Sequence, residues 1–370
     1  MSGIPPWIGR LGLLAGGTLF ALVAVELGLR TRQGAIGVEF FLARTPELYD
    51  TRIFRRDPST VISLVPGATT RIQTAEYDQQ IRINALGMRA PEVPPRAEGE
   101  LRILAVGDSF TLGLQVAEAD RYTERLAVDL SERLDRPVTV WNAGVDGHGT
   151  FHAAAQARRL APQVQADVVL YLFFSGNDIF DNLGYAKAVR DGGRPSPSRT
   201  PLHEATTWLA RRSMLAMYAT IAVRAFDVQG AGNGARHHQE LAIFTNPAAL
   251  AHQGMKTAEG LQTLASTCAA LGLDCHVAVA GPAFTVHADR AEATFWLFGH
   301  DPMAVDLDAP ARFVADAAPS TLAVRDLAPA LRSATGGPPL YFTLDGHWTE
   351  TGHAVVAADL AAWLAPSLGG

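Results

Sequence analysis

Apolar residues in this chain fall into one long run and several short ones. The long run, Leu11 to Leu29 (LGLLAGGTLFALVAVELGL), is broken only by Glu26 near its end. At about 1.5 Å per residue it predicts a helix long enough to cross a bilayer. The short runs are Ile103–Val106, Val138–Trp141, Val168–Phe174 and His276–Gly281, with Thr321–Val324 as a last one. Unbroken apolar runs of that length predict strands buried on both faces of a parallel sheet. Between them, Tyr122, Leu126, Leu130 and Leu134 recur every four residues, the spacing of an amphipathic helix. Near the C-terminus TETGHAVVAADLAAWL reads as another helix. Strands alternating with helices predict an α/β domain: an open, mostly parallel sheet flanked by helices.

The pattern divides the chain into three parts. Residues 1–32 read as an N-terminal membrane anchor. A cleaved signal is disfavoured because ALVAVELG offers a poor cleavage site and the run is long for a signal core. A buried core helix is disfavoured because the run begins so close to the terminus. Arg10 on one side and Arg30 and Arg32 on the other are too balanced to orient it. Residues 33–100, with VISLVPGATT and YDQQIRINALGMRAPEVPP, read as a small β-containing lead-in. The α/β domain occupies 101–370, with a helical insertion around 190–240. The loops Asp191–Pro201 and Gln229–Ala235 bound that insertion. Its helix, EATTWLARRSMLAMYATIAVRAF, reads first as a packing helix, with an active-site cover or a membrane-lying helix as the alternatives.

Composition changes this picture little. Hydrophobic residues are 48% of the 370 and charged residues 18%, which fits a membrane segment plus a globular body. The net charge of −6 and the lack of a basic block exclude nucleic acid as an expected partner. The two cysteines, Cys268 and Cys275, fall short of the roughly four ligands a zinc site needs, so no metal site is expected. They are either buried thiols or a disulfide clipping a helix to a strand, the latter needing an oxidising compartment.

The candidate chemistry lies where the strands end, because ligands of open α/β sheets bind outside the carboxyl ends. Those ends carry Gly107-Asp108-Ser109-Phe110, Asn142-Ala143-Gly144 and Ser175-Gly176-Asn177-Asp178, and Asp345-Gly346-His347-Trp348 precedes the last helix. A serine held at a strand-to-helix switch is weakly nucleophilic until a base takes its proton. An imidazole titrating near neutrality can be that base, and a carboxylate beside it fixes its tautomer.

As a set, these blocks resemble those of the SGNH (GDSL-type) hydrolase superfamily over roughly Leu101 to Leu364. The resemblance implies a flavodoxin-like fold and a serine esterase working through an acyl-serine. It implies Ser109 as nucleophile, His347 as base and Asp345 as its partner. The oxyanion hole would be the Ser109 and Gly144 amides with the Asn177 carboxamide. No cofactor is implied. The sequence is similar to a membrane-anchored bacterial branch, in which VELGLR follows the anchor and INALGMR precedes the domain. That similarity implies a catalytic domain outside the cytoplasm, acting on an acylated small molecule or carbohydrate of the envelope or outside it.

Two positions depart from the family pattern. Ser175 stands where glycine is usual two places before the asparagine, and only Gly346 separates Asp345 from His347 where two residues are usual. The shorter spacing is similar to that of polysaccharide O-acetylation proteins of the same superfamily. It raises O-acyl transfer to a polysaccharide as an alternative. A non-catalytic binding subunit of an envelope-assembly complex is a further alternative, against which the Ser109 and His347 pair argues. Asp108 and Asp178 are expected as turn and cap residues, His148 and His152 as surface histidines, and His353 as packing or solvent-facing. Every site residue is expected beyond Leu101.

Overall fold

The N-terminal apolar run forms helix α1, Pro6–Thr31, in the computed structural model. The structure describes residues 6–31, 52–74, 76–192, 209, 213–216, 219, 233–343 and 345–369. Residues 33–51 of the lead-in and most of the expected insertion lie outside them. The described end of the insertion is already helical from Asn233, so the second bounding loop stops short of the expected Ala235. Within α1, Gly12–Leu29 has a mean hydropathy of 1.9 and none of it is buried, so it is long and apolar enough to cross a membrane. Such a helix near the N-terminus fits an anchor or a signal sequence. Glu26 ties it to a later segment: the carboxylate accepts hydrogen bonds from Ser213 Oγ (2.9 Å) and from the amides of Met214 (3.0 Å) and Leu215 (2.9 Å).

The lead-in is two antiparallel hairpins. Strand β1 (Phe54–Asp57) pairs with β2 (Val61–Leu64), and β3 (Thr69–Gln73) pairs with β4 (Asp78–Arg82). Two-stranded hairpins are marginal by themselves and need a further apolar partner. Here Ile53, Phe54, Ile62, Leu64, Ile81 and Ile83 share one small core with Leu112, Leu114 and Val145 of the α/β body.

The body is built on five strands: β5 (Leu101–Gly107), β6 (Val138–Asn142), β7 (Val168–Phe174), β8 (Asp274–Ala280) and β9 (Ala323–Asp326). They are all parallel, in the order β6-β5-β7-β8-β9. Every residue of β5 and β7 is buried, which is why Val168–Phe174 and, after the buried Arg102, Ile103–Val106 are unbroken apolar runs. The last strand lies two residues later than Thr321–Val324. A turn in which the Leu322 amide bonds the Pro319 carbonyl (2.8 Å) consumes the start of that run.

The helices of the body are α2 (Ser109–Leu112), α3 (Tyr122–Leu134), α4 (Thr150–Val164), α5 (Asp178–Arg190), α6 (Asn233–Ala242), α7 (Pro247–Leu271), α8 (Ala288–Leu297), α9 (Ala309–Ala317), α10 (Ala328–Ser333) and α11 (Glu350–Leu368). Helix α3 packs against α11, and α4 against α7. The chain reverses direction across the sheet after β6. Right-handed crossovers therefore put α3 and α4 on opposite faces, and a crevice opens between the carboxyl ends of β5 and β7. Cys268 on α7 and Cys275 on β8 form a disulfide, which decides between the two readings of the cysteines.

Candidate active site

Strand β5 runs into α2 through a turn too tight for any side chain at Gly107. A Cβ there would lie 2.8 Å from the Leu172 carbonyl of the neighbouring strand. Asp108 caps the helix, its Oδ1 accepting from the Phe110 amide at 2.8 Å, while its Oδ2 lies 3.4 Å from Ser109 Oγ. This is the turn-and-cap role expected of Asp108. Gly113 ends the helix in the left-handed conformation. Ser109 is thus fixed, 3% exposed, at the crevice where the strand order switches.

The last block comes to it from far along the chain. Tyr341 and Trp348 form a bridge, and the Phe342 amide bonds the His347 carbonyl (2.8 Å). Gly346, at φ +81°, makes the reversal between Asp345 and His347. With that turn, one intervening residue is enough for the two side chains to meet. His347 Nδ1 lies 2.5 Å from Asp345 Oδ1, and His347 Nε2 lies 2.8 Å from Ser109 Oγ. The structure therefore brings Ser109, His347 and Asp345 into one hydrogen-bonded chain. Phe110 stacks on Phe174 (4.0 Å between ring centroids), lies 4.6 Å from the His347 ring and meets Trp348 edge-on. This aromatic packing holds the imidazole's plane.

Gly144 and Asn177, the other expected oxyanion donors, already have partners. A Cβ on Gly144 would fall 2.3 Å from the Leu112 amide nitrogen, so only glycine lets this loop touch α2. Its N–H donates to Asn142 Oδ1 at 3.1 Å, and Asn142 Nδ2 donates to the Thr111 carbonyl at 2.6 Å. Asn177 Nδ2 donates to Asp181 Oδ2 at 2.8 Å. An amide NH2 has two hydrogens, so one contact leaves Asn177 a further donor.

The remaining titratable groups near the site are structural. Asp178 accepts from Tyr171 Oη (2.7 Å) and the Phe174 amide (3.0 Å). Burial, and then the nearby Asp108, push its carboxyl well above the usual range. His353 is buried, accepts from the Tyr122 amide (3.2 Å) and stacks on Tyr122, so it is a packing residue. His148 and His152 are not on the surface as expected. Both are buried, stacked on each other, because the β1–β2 hairpin covers them: His148 Nε2 donates to the Ile62 carbonyl at 2.8 Å. Burial holds the His148 imidazole down to about 4. Among the described residues no cluster of His, Cys, Asp and Glu is arranged to hold a metal ion.

Three residues before Leu101 reach this site, against expectation. Tyr77 Oη donates to Asp345 Oδ2 at 2.8 Å, and the Asp345 amide donates to Glu76 Oε2 at 2.8 Å. Arg89 is 1% exposed and donates to the carbonyls of Leu112, Gly113 and Val116, just past the Ser109 turn. The alternation in YDQQIRI signals a strand, but nothing local to it names a partner 268 residues away. The arginine of INALGMR was visible only as part of a motif without a role.

The model of the GDSL-like lipase/acylhydrolase family matches residues 105–355. No curated protein matches the chain. Among solved structures, the chain is similar to a lipase, Lip_vut3, from a goat rumen metagenome (14% identity, 71% of this chain and 96% of that one, TM-score 0.40). It is also similar to the psychrotrophic esterase EstA from Pseudoalteromonas sp. (11% identity, 73% and 99%, TM-score 0.37). A third is Axe2, an acetylxylan esterase from Geobacillus stearothermophilus (13% identity, 73% and 95%, TM-score 0.38). Likenesses this distant say nothing about substrate.

Proposed function

Because this chain belongs to the GDSL-like lipase/acylhydrolase family, we propose that it is a serine esterase that cleaves a carbon–oxygen ester through an acyl-serine on Ser109. The observation that carries this reading is the relay from Ser109 Oγ to His347 Nε2 (2.8 Å) and from Nδ1 to Asp345 (2.5 Å). As Oγ attacks the ester carbonyl, Nε2 takes its proton. The Asp345 carboxylate holds the proton on Nδ1 and stabilises the imidazolium. The imidazolium then protonates the departing alkoxide, leaving acyl-Ser109 and neutral His347. Water enters, gives a proton to Nε2 and attacks the acyl carbon. Collapse returns that proton to Ser109 and releases the acid.

The oxyanion formed in each half would be met by the Ser109 amide, the Gly144 amide and the second Asn177 amide hydrogen. Donors of this kind are each worth ~3–4 kcal/mol. Gly144 shares its N–H with Asn142 until substrate arrives. Helix α1 would be kept as an anchor, and the Cys268–Cys275 disulfide supports an oxidising compartment outside the cytoplasm for the catalytic body. The substrate is then an acylated molecule of the envelope or beyond it. The Asp345-Gly346-His347-Trp348 spacing favours a second reading, in which a sugar hydroxyl takes the acyl group in place of water.

The test uses the full chain in detergent, a fluorophosphonate probe and a short-chain aryl ester. The wild type should be labelled and turn over the ester. Ser109→Ala should abolish labelling and cut turnover by several orders of magnitude. Activity of Ser109→Ala within about tenfold of wild type would sink the mechanism. An unlabelled, inactive wild type would instead favour a binding subunit. Adding an oligosaccharide acceptor and analysing the products separates hydrolysis from transfer.

A further inference from the structure

We propose that the tip of the β3–β4 hairpin is a working part of the catalytic relay, with Tyr77 and Glu76 as positioning residues for Asp345. This rests on the reading of Ser109, His347 and Asp345 as the catalytic relay. Thr74 holds Glu76 and Tyr77 in place: its hydroxyl accepts from the Glu76 and Tyr77 amides (both 3.2 Å), while its own amide donates to the Tyr77 carbonyl (2.8 Å). Below the tip, Gln73 pairs with Asp78, and Ile81 is buried in the core shared with Leu112 and Leu114. The hairpin is therefore fixed to the segment that follows the nucleophile, and its tip reaches the segment that carries the base.

The tip makes two contacts with one residue. Tyr77 Oη donates to Asp345 Oδ2, the oxygen that does not face His347, and Glu76 Oε2 accepts the Asp345 N–H. The first contact fixes the plane of the carboxylate, and the second fixes the backbone that carries it. Tyr77 is 8% exposed, with its ring packed against Phe342 at 5.4 Å. A carboxylate that turns freely about its last bond offers His347 an oxygen only part of the time. One whose other oxygen is held by a buried phenol presents Oδ1 continuously. The hydroxyl also draws charge from the carboxylate, which tempers how strongly Asp345 holds the imidazolium. Tyr77 and Glu76 touch neither substrate nor Ser109 in this scheme and act through Asp345.

The experiment compares wild type, Tyr77→Phe and Glu76→Gln as full-length protein, with fluorophosphonate labelling, ester kinetics across pH 5–9 and thermal unfolding. Tyr77→Phe keeps the ring against Phe342, so the fold is retained. It should lower kcat about tenfold with KM unchanged within about twofold, and the acid limb of kcat/KM should move to higher pH. The limb moves because an unshared carboxylate holds the imidazolium more firmly. Glu76→Gln, which loses the charge but keeps an acceptor oxygen, should lower kcat by less than Tyr77→Phe. An acid limb that stays in place in Tyr77→Phe, with kcat within twofold of wild type or with kcat lost in step with thermal stability, overturns the inference. An unlabelled, inactive wild type overturns it together with the reading of Ser109. A labelled wild type beside an indifferent Tyr77→Phe overturns this inference alone.

Discussion

Two segments precede the recognisable α/β domain, and they relate to it in opposite ways. Helix α1 exposes its apolar side chains (Leu13 is 80% and Phe20 76% exposed), and its Glu26 carboxylate bonds Ser213, Met214 and Leu215. The hairpin segment buries its apolar residues instead: Ile53, Phe54, Ile62, Leu64, Ile81 and Ile83 share a core with Leu112, Leu114 and Val145. It also bonds Asp345 twice and reaches the carbonyls behind Ser109 through Arg89. Sequence motifs mark where chemistry is encoded. They do not mark where the structure that positions it begins.

The sharpest way to break this contrast is truncation. Removing residues 1–32 should give a soluble protein that still hydrolyses small aryl esters at near wild-type rate. Extending the deletion to residue 100 should abolish activity. That cut strips Tyr77, Glu76 and Arg89 from the site and exposes Leu112, Leu114 and Val145, an apolar patch that invites aggregation. Both proteins are compared by ester turnover and by size-exclusion chromatography. If the shorter body is monomeric and active, the hairpins are an ornament and the comparison fails.

This contrast also explains what could be read from the sequence. Strands β5 and β7 were legible because burial on both faces leaves an unbroken apolar run. Ser109 and His347 were legible because each lies in a short block at a strand end or helix start, with its neighbours dictated by a tight turn. The convergence of Asp345 and His347 across a single residue depends on Gly346, whose φ of +81° lets the chain reverse there. Tyr77, Glu76 and Arg89 were not legible as parts of the site, nor was the burial of His148. Their partners are set by how the hairpins dock, a tertiary fact with no local periodicity. His148 was misplaced on the surface for the same reason: a histidine in a glycine-rich turn looks exposed until the strand that covers it is known.

A second prediction concerns Arg89 and should have a smaller effect than the long truncation. Its guanidinium serves the Leu112 and Val116 carbonyls at 3.2 and 2.9 Å, with Gly113 between them. Arg89→Met leaves these buried carbonyls unpaired. It also removes a charge that burial, and then repulsion from Arg121, hold down to about 9. The net cost should be about 2–3 kcal/mol in urea unfolding. Arg89→Lys should recover only part of it, because one ammonium cannot span the fork of carbonyls. A variant as stable as wild type would show that the hairpin segment does not brace the Ser109 turn.

The smallest effect tests whether the covered histidine helps tie hairpin to body. His148 is neutral in the fold down to about 4 because burial disfavours its charged form, whereas an unfolded histidine titrates near 6.5. Between those values the unfolded chain binds more protons than the folded one. Stability is therefore full above about pH 6.5 and declines as pH falls toward about 4, by about 3 kcal/mol in all from this group. His276, His287, His300 and His353 are also held down by burial and add slopes of the same sign. His148→Gln keeps an amide donor for the Ile62 carbonyl but cannot titrate. It should be less stable than wild type at pH 7, by about 1 kcal/mol for the weaker bond and lost ring stack, and should lose less stability on going to pH 4.5. The two unfolding curves should thus approach or cross at acid pH. Helix α1 contains no histidine, so deleting residues 1–32 should leave the difference between wild type and His148→Gln unchanged. Equal slopes for wild type and His148→Gln would mean that the β1–β2 hairpin does not keep this imidazole dry, and its docking would have to be assigned to the shared apolar core alone.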